Sequence, residues 1–270
     1  MSRKLRYIFI YIFLTLSAFI SVFPFFWMVV GSTNKSVDVI KGKLTPGNQF
    51  LINFKNLWDN YNLRTVLLNS AKISALVVIF SVIVSSMAGY GFEMYVSKAR
   101  NRLYGLMLLT LMIPLAALMV PLFRLMYFFN LIDSHWGVIL PLIPSVFLTF
   151  FFRQSFSQYP KEIIMAARVD GANELRIFFS IVLPSMKSAY AAAAIYAFMT
   201  SWNAYLWPLV IIQSEQKKTM VLLISNLASG YTPDFGVVMM AVVIATLPML
   251  IVFFSLQRYF VQGVLGSVKQ

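Results

Sequence analysis

The sequence predicts an all-α integral membrane protein of about six transmembrane helices, with both termini cytoplasmic. Three observations carry this. Of 270 residues, 60% are hydrophobic and only 11% charged, whereas soluble domains carry roughly 45–50% apolar and about 25% charged residues. The apolar residues fall in uninterrupted runs of the length a helix needs to cross about 30 Å of hydrocarbon, not in the short alternating segments of a barrel. Basic residues gather between the runs, with a bias to one side. Mean hydropathy is +0.78, and an ordinary soluble fold is excluded. One membrane domain over residues 1–270 is the simplest division.

The spans are predicted at about 7–30, 66–90, 104–126, 136–156, 186–212 and 236–258. The first follows Arg3, Lys4 and Arg6 like a secretory signal, but it is too long for that and has no small-x-small cleavage site. It reads as an uncleaved first span. The loop after it, with Lys35, Lys41, Lys43, Lys55 and Pro46-Gly47, is expected to cover the outer face. With the N-terminus inside, the cytoplasmic basic residues are Arg3, Lys4, Arg6, Lys98, Arg100, Arg102, Arg153, Lys161, Arg168, Arg176, Lys187, Arg258 and Lys269. Outside lie Lys35, Lys41, Lys43, Lys55, Arg64, Arg124, Lys217 and Lys218, and Lys72 falls within a span. The larger set marks the cytoplasmic side. Prolines at 24, 114, 121, 141, 144, 208 and 248 each remove a helix hydrogen bond. Kinked helices suit a transporter, and proline is also frequent in membrane helices generally.

The formal charge is +13. In a soluble protein this would suggest a nucleic-acid partner. Here topology and anionic lipid headgroups account for it, and no nucleic acid is implied. The absence of cysteine excludes disulfides, thiolate metal sites and thiol chemistry.

The most informative stretch is the loop over 157–184, between spans four and five. Pro160 suits a helix start, and Ile163, Ile164, Ala166 and Ala167 give a small apolar surface at helical spacing. Asp170-Gly171 breaks it, because glycine admits positive φ and aspartate can cap the next helix. Leu175, Phe178 and Phe179 resume an apolar face, and Leu183-Pro184 leads into span five. Two short helices with a sharp turn are predicted. A water-exposed loop with that much apolar surface packs on something, either a partner or, as an amphipathic hairpin, the bilayer surface.

These residues resemble a known signature. Ala166-Ala167-x-x-Asp170-Gly171-Ala172 followed by Ile181-x-Leu183-Pro184 is similar to the EAA loop of binding-protein-dependent ABC importer permeases. Pro160-Lys161-Glu162 fits the sugar-importing branch. So do Asn69-Ser70 and Ala88-Gly89-Tyr90 in span two, Ile113-Pro114 and Pro121-Leu122 in span three, and Ser201-Trp202-Asn203 with Trp207-Pro208-Leu209 in span five. The tail Gln257-Arg258-Tyr259-Phe260-x-x-Gly263 resembles that of the maltose-type second permease. One position departs: the leading glutamate of the signature is Met165 here. Glu162, on nearly the same helical face, is a candidate substitute, and Glu174 lies nine residues on.

The resemblance implies a coupling loop that docks on an ATPase, made of Glu162, Met165, Ala166, Ala167, Asp170, Gly171, Ala172, Leu175, Phe178, Leu183 and Pro184. It also implies partners: a second permease chain, an ATP-binding-cassette dimer and an extracytoplasmic solute-binding protein, in a bacterial-type inner membrane. No G-x-x-x-x-G-K-[ST] phosphate loop occurs, so ATP and Mg belong to the partner and this chain is expected to carry no enzyme site and no cofactor. The substrate class implied is carbohydrate. Another solute such as a polyamine or phosphonate stays open, since the loop signature is shared more widely. An ion-coupled secondary transporter is disfavoured, because Glu93 is the nearest approach to an intramembrane carboxylate relay. No span carries an acid/base or metal constellation that would make the chain a membrane enzyme.

Remaining candidates are weighed singly. Trp202, Asn203, Tyr205 and Trp207 suit stacking on a sugar, although an interfacial aromatic belt gives the same pattern. Lys72 is a pathway candidate or a snorkelling lysine. Arg124 and Asp133 read as interfacial. His135 has no second ligand at metal spacing, and no metal site is expected. Ala191 to Ala194 give a smooth surface for close helix packing, within this chain or against the sister permease.

Overall fold

A computed structural model describes residues 3–266, with side chains described over 7–259. The side chains of Arg3, Lys4 and Arg6, the tail motif beyond Tyr259 and Lys269 lie outside the described residues.

Every regular element among the described residues is helical. Helix α1 (Arg3–Ser32) continues through Pro24. The predicted outer loop contains two helices, α2 (Ser36–Ile40) and α3 (Phe50–Asn60); α3 is amphipathic and buries Asn53 and Leu57, one turn apart. Helix α4 (Leu63–Met94) is the longest uninterrupted span in this part of the chain. Ser97 caps α5 (Lys98–Leu109), accepting from the Arg100 N–H, and a 3-10 turn over Thr110–Met112 precedes α6 (Leu115–Phe128). Ser134 and Ser145 cap α7 (His135–Leu142) and α8 (Val146–Ser157). Then come α9 (Lys161–Val169) and α10 (Glu174–Arg176). A π-helical turn over Ile177–Val182 leads into α11 (Leu183–Ser185) and α12 (Lys187–Trp202). The chain closes with α13 (Leu206–Ile211), α14 (Met220–Ala228) and α15 (Phe235–Gly266).

Three stretches, Tyr7–Ser32, Leu63–Met94 and Phe235–Tyr259, are each long and apolar enough to cross a membrane, and three bent helix pairs bring the number to as many as six. The predicted third and fourth spans are therefore broken, and the remaining bent pair, Glu174–Ser185 with Lys187–Trp202, begins before the predicted fifth. The third turns by 106° between Met112 and Leu115. Proline pushes its predecessor out of the helical region, and Ile113 is extended, with φ −83° and ψ 116°. The fourth bends by 40° before Val146, beside Pro144. The fifth ends at Trp202, short of the predicted 212, and α13 is separate. The break falls at Asn203-Ala204-Tyr205, with Asn203 closing α12 on Met199 O. Pro208 has no N–H for the Ala204 carbonyl and so weakens continuation there, although helices run through Pro24, Pro121, Pro141 and Pro248.

The chain divides into two compact units, Met1–Arg64 with Leu223–Pro248, and Thr65–Leu222 with Met249–Gln270. In the first, the buried Asn53 amide donates to the carbonyls of Ser32 (2.8 Å) and Asn34 (3.0 Å) and fixes α3 against the end of α1. The Ser36 hydroxyl donates to Pro233 O and accepts from Phe235 N–H, and Asp234 caps α15. Most of α1 is exposed and apolar, including Phe9, Phe13 and Phe19.

In the second unit, Ile73, Val77, Met126, Val138, Ile139, Trp207 and Ile211 form one core cluster. Trp207 donates its indole N–H to Gly137 O at 3.1 Å. Beside it is a polar knot centred on Asp133. Its carboxylate accepts from the Gln213 and Ser214 N–H groups at 3.0 Å each, from the Ser214 hydroxyl and from Lys217 Nζ at 3.0 Å. Asp133 itself sits at φ 51°. It is the hub of the loop. The Ser214 hydroxyl bond, then the Ser214 N–H, hold its carboxyl well below the usual carboxylate range. A depressed folded value means that stability from this knot is complete above the unfolded value and lost as pH falls through the folded one. Asp133→Ala is expected to lower stability by about 2 kcal/mol at neutral pH. The deficit relative to wild type should shrink progressively below about pH 4, as thermal unfolding in detergent across that range would show.

Candidate functional site

The loop over 157–184 is built into the second core cluster of its unit. Ile164 and Ala167 of α9 and Ile177, Phe178 and Val182 of the following turns are buried with Tyr90 and Val82 of α4. They also meet Leu148, Phe152 and Phe156 of α8, and Ala193 and Ala197 of α12. Tyr90 meets Phe156 edge-on at 5.6 Å and Phe178 at 5.4 Å, the geometry that the aromatic quadrupole favours. The alanine surface of α12 is used inside the chain: Ala191 and Ala193 are buried, and Tyr190 lies 4.9 Å from Phe152. Helix α4 reaches α8 because Gly89 has no side chain. A Cβ there would stand 2.8 Å from both Arg153 N and Phe152 Cβ.

The turn forms as the sequence predicts. Gly171 has φ +81°, and its N–H donates to Arg168 O while Ala172 N–H reaches Ala167 O, both at 3.0 Å. The predicted capping residue is corrected: Asp170 ends α9, and Asn173 caps α10 by accepting from Arg176 N–H at 2.8 Å. Asn173 lies at the first residue before the helical backbone resumes, which is where a cap must be.

The apolar surface that the sequence shows as one face divides in two. Ile164, Ala167 and Phe178 point inward, whereas Ile163, Met165, Ala166, Val169, Leu175 and Phe179 are exposed, Val169 at 88% and Met165 at 60%. Glu162, Asp170, Gly171 and Pro184 are exposed, and Ala172 and Leu183 are half-buried.

Ion pairs frame both ends of α9. Glu93, at the end of α4, accepts from Lys161 Nζ at 3.0 Å and faces Arg153 Nε at 3.5 Å. Across the turn, Arg168 Nε donates to Glu174 Oε1 at 2.7 Å, and the Tyr90 hydroxyl donates to Glu174 Oε2 at 3.0 Å. The Arg168 bond, ahead of the other contacts, holds the Glu174 carboxyl below its ordinary value. Glu174 is thus turned inward and Glu162 outward. The Arg168–Glu174 pair spans a turn and has no helical spacing, so no periodicity in the sequence marks it.

The other sequence candidates are scattered. Trp202 and Trp207 are buried, so neither forms an exposed interfacial belt; Trp202 stacks with Phe198 at 5.3 Å. Asn203, Tyr205 and Lys72 are exposed. His135 Nε2 lies 3.2 Å from Lys217 O, and no metal-binding group occurs among the described residues.

Residues 81–266 match the family described as the binding-protein-dependent transport system inner membrane component. The chain belongs to this family. It is 49% identical to the lactose transport system permease protein LacG of Rhizobium radiobacter, over 99% of this chain and 98% of that one. It is 38% identical to the arabinooligosaccharides transport system permease protein AraQ of Halalkalibacterium halodurans (93% and 92% covered), and 32% identical to the sn-glycerol-3-phosphate transport system permease protein UgpE of Yersinia pestis (97% of each). A crystal structure of a bacterial ABC transporter involved in the import of the acidic polysaccharide alginate has the same fold, with TM-score 0.83 over 96% of this chain and 99% of that one at 22% identity. The chain is a multi-pass inner-membrane permease component.

The Gly89 contact provides a test of the frame. Gly89→Val is expected to cost about 1–3 kcal/mol by forcing α4 from α8. Gly91→Val, whose added Cβ meets nothing within 4 Å, is expected to leave the thermal midpoint of the purified chain nearly unchanged.

Proposed function

We propose that the whole chain is one permease domain that forms half of the translocation pathway of a carbohydrate importer, with both termini cytoplasmic. A separate ATP-binding-cassette dimer, which holds ATP and Mg, drives it, and a second permease subunit and an extracytoplasmic solute-binding protein complete the complex. The carbohydrate class rests on the names of the most similar relatives, lactose and arabinooligosaccharide permeases, which match over nearly the whole chain. Family membership gives the ion-coupled reading no support. The chain serves as a transport subunit with no ATPase site of its own.

One observation carries the coupling role: α9 and its turn present an exposed apolar surface on a backbone whose other side is locked into the core. Met165, Ala166, Val169, Leu175 and Phe179 dock on the ATPase, with Glu162 as the acidic group beside them. Ala167 and Phe178 anchor the loop, Asp170, Gly171 and Ala172 make its turn, and Leu183-Pro184 hands its motion to α12. Because Met165 replaces the signature glutamate, the docking rests on apolar packing, and an ion pair comes from Glu162. Lys72, Asn203 and Tyr205 are the exposed pathway candidates, and Trp202, also a candidate, is buried.

Gly171→Pro tests this reading. Proline is fixed near φ −65° and has no N–H, so it denies the turn both its φ of +81° and its bond to Arg168 O. The variant is expected to insert and to co-purify with the second permease, but to lose solute uptake coupled to ATP hydrolysis in proteoliposomes. Wild-type uptake by that variant would refute the coupling role. Purification of the native chain without an ATPase would refute the class.

A further inference from the structure

We infer that Glu93 is a positioning residue for coupling: its carboxylate is the joint through which α9 and the membrane helices α4 and α8 move together. The inference rests on the coupling role proposed for α9. Glu93 lies on the last turn of α4, and its side chain is only 12% exposed. One oxygen takes Lys161 Nζ at 3.0 Å, from the first residue of α9. The other faces Arg153 Nε at 3.5 Å, from the middle of α8.

Arg153 is itself held. Its guanidinium lies 3.9 Å from the centre of the Tyr104 ring on α5, and its Nη2 donates to Asn101 Oδ1 at 3.3 Å. Tyr104 in turn packs on Phe92, next to Glu93, at 5.3 Å. One carboxylate therefore joins three helices, α4, α8 and α9, with α5 packed on Arg153, and Lys161 is the attachment of α9 at its N-terminal end. The largely covered carboxylate is screened less than a surface ion pair would be. With its cations gone, or it gone from them, the remaining charges are left partly buried and unpaired, which costs more than the pair contributes. Breaking the joint leaves α9 pinned through its apolar side and through Glu174 at its far end, but free to tilt at Lys161.

The test uses the complete transport complex in proteoliposomes, comparing wild type, Glu93→Gln, Lys161→Met and the double variant, with solute uptake and ATP hydrolysis measured together. ATP-driven uptake by wild type, lost in Gly171→Pro, is the check on the coupling role itself; if it fails, that reading and the inference resting on it are both overturned. Given it, Glu93→Gln is expected to raise the ATP hydrolysed per solute moved by about tenfold. Lys161→Met should act in the same direction, and the double variant should be no worse than Glu93→Gln, because both single changes break the same link. Glu93→Asp, shorter by one methylene and unable to reach both cations at once, should fall between. An unchanged ratio in Glu93→Gln would overturn the inference. Equal loss of uptake and hydrolysis would overturn it too, since that marks a purely structural role, and Lys161→Met, altering a half-exposed side chain, gives the same reading should Glu93→Gln fail to fold. Additive effects of Glu93→Gln and Lys161→Met would overturn the link through Lys161.

Discussion

The burial of Ile164, Ala167, Ile177 and Phe178 against Tyr90, Phe152 and Phe156 is the interaction on which the rest of the inner part of this chain depends. A connecting loop ordinarily runs over a surface and moves by itself. Here it shares one core with α4, α8 and α12, and packed cores shift between discrete arrangements instead of deforming continuously. In the proposed role, that shared core turns a push on α9 into displacement of membrane helices. The π-helical turn over Ile177–Val182 and the 86° bend into α12 lie where such a displacement would enter the fifth span. π-turns are frequent at functional sites.

Charge is used sparingly and placed at the joints. The sequence holds nine acidic residues. Glu93 and Glu174 frame the two ends of α9, and Asp133 ties together the loop that follows α13. Each satisfies several donors at once, as a covered carboxylate must if its desolvation is to be offset. The exposed side of α9 carries Ile163, Met165, Ala166 and Val169, which fits the methionine at position 165: of the loop's acidic residues, Glu174 is turned into its own chain, while Glu162 and Asp170 are exposed.

The membrane class, the approximate spans and the turn at Gly171 were legible in the sequence because each is a local signal. Long apolar runs, prolines and a glycine after aspartate act on their own neighbourhoods. The break at Ile113-Pro114 is equally local, but hydropathy runs unbroken through it and does not mark it. The end of α12 at Trp202 precedes Pro208 by six residues, at Asn203-Ala204-Tyr205, where no proline marks it. What could not be read was which side of an apolar face turns inward. Ile163 and Ile164 are chemically alike and adjacent, yet one is exposed and the other buried, and only Tyr90 and Phe156 from distant positions decide between them. The Glu93–Lys161 and Arg168–Glu174 pairs were hidden for the same reason: the partners meet through tertiary packing and have no sequence spacing that marks them.

The central claim is that α9 and α4 move as one body through the transport cycle. Because the chain contains no cysteine, spin labels can be placed cleanly at Met87→Cys on α4 and Val169→Cys on α9, both exposed positions. Pulsed dipolar distance measurements on the assembled complex, with and without a non-hydrolysable nucleotide, test the claim most directly. A single distance distribution, unchanged by nucleotide, is the expected result. A nucleotide-dependent second distance would contradict it, and would mean that the loop swings independently of the helix on which it is packed.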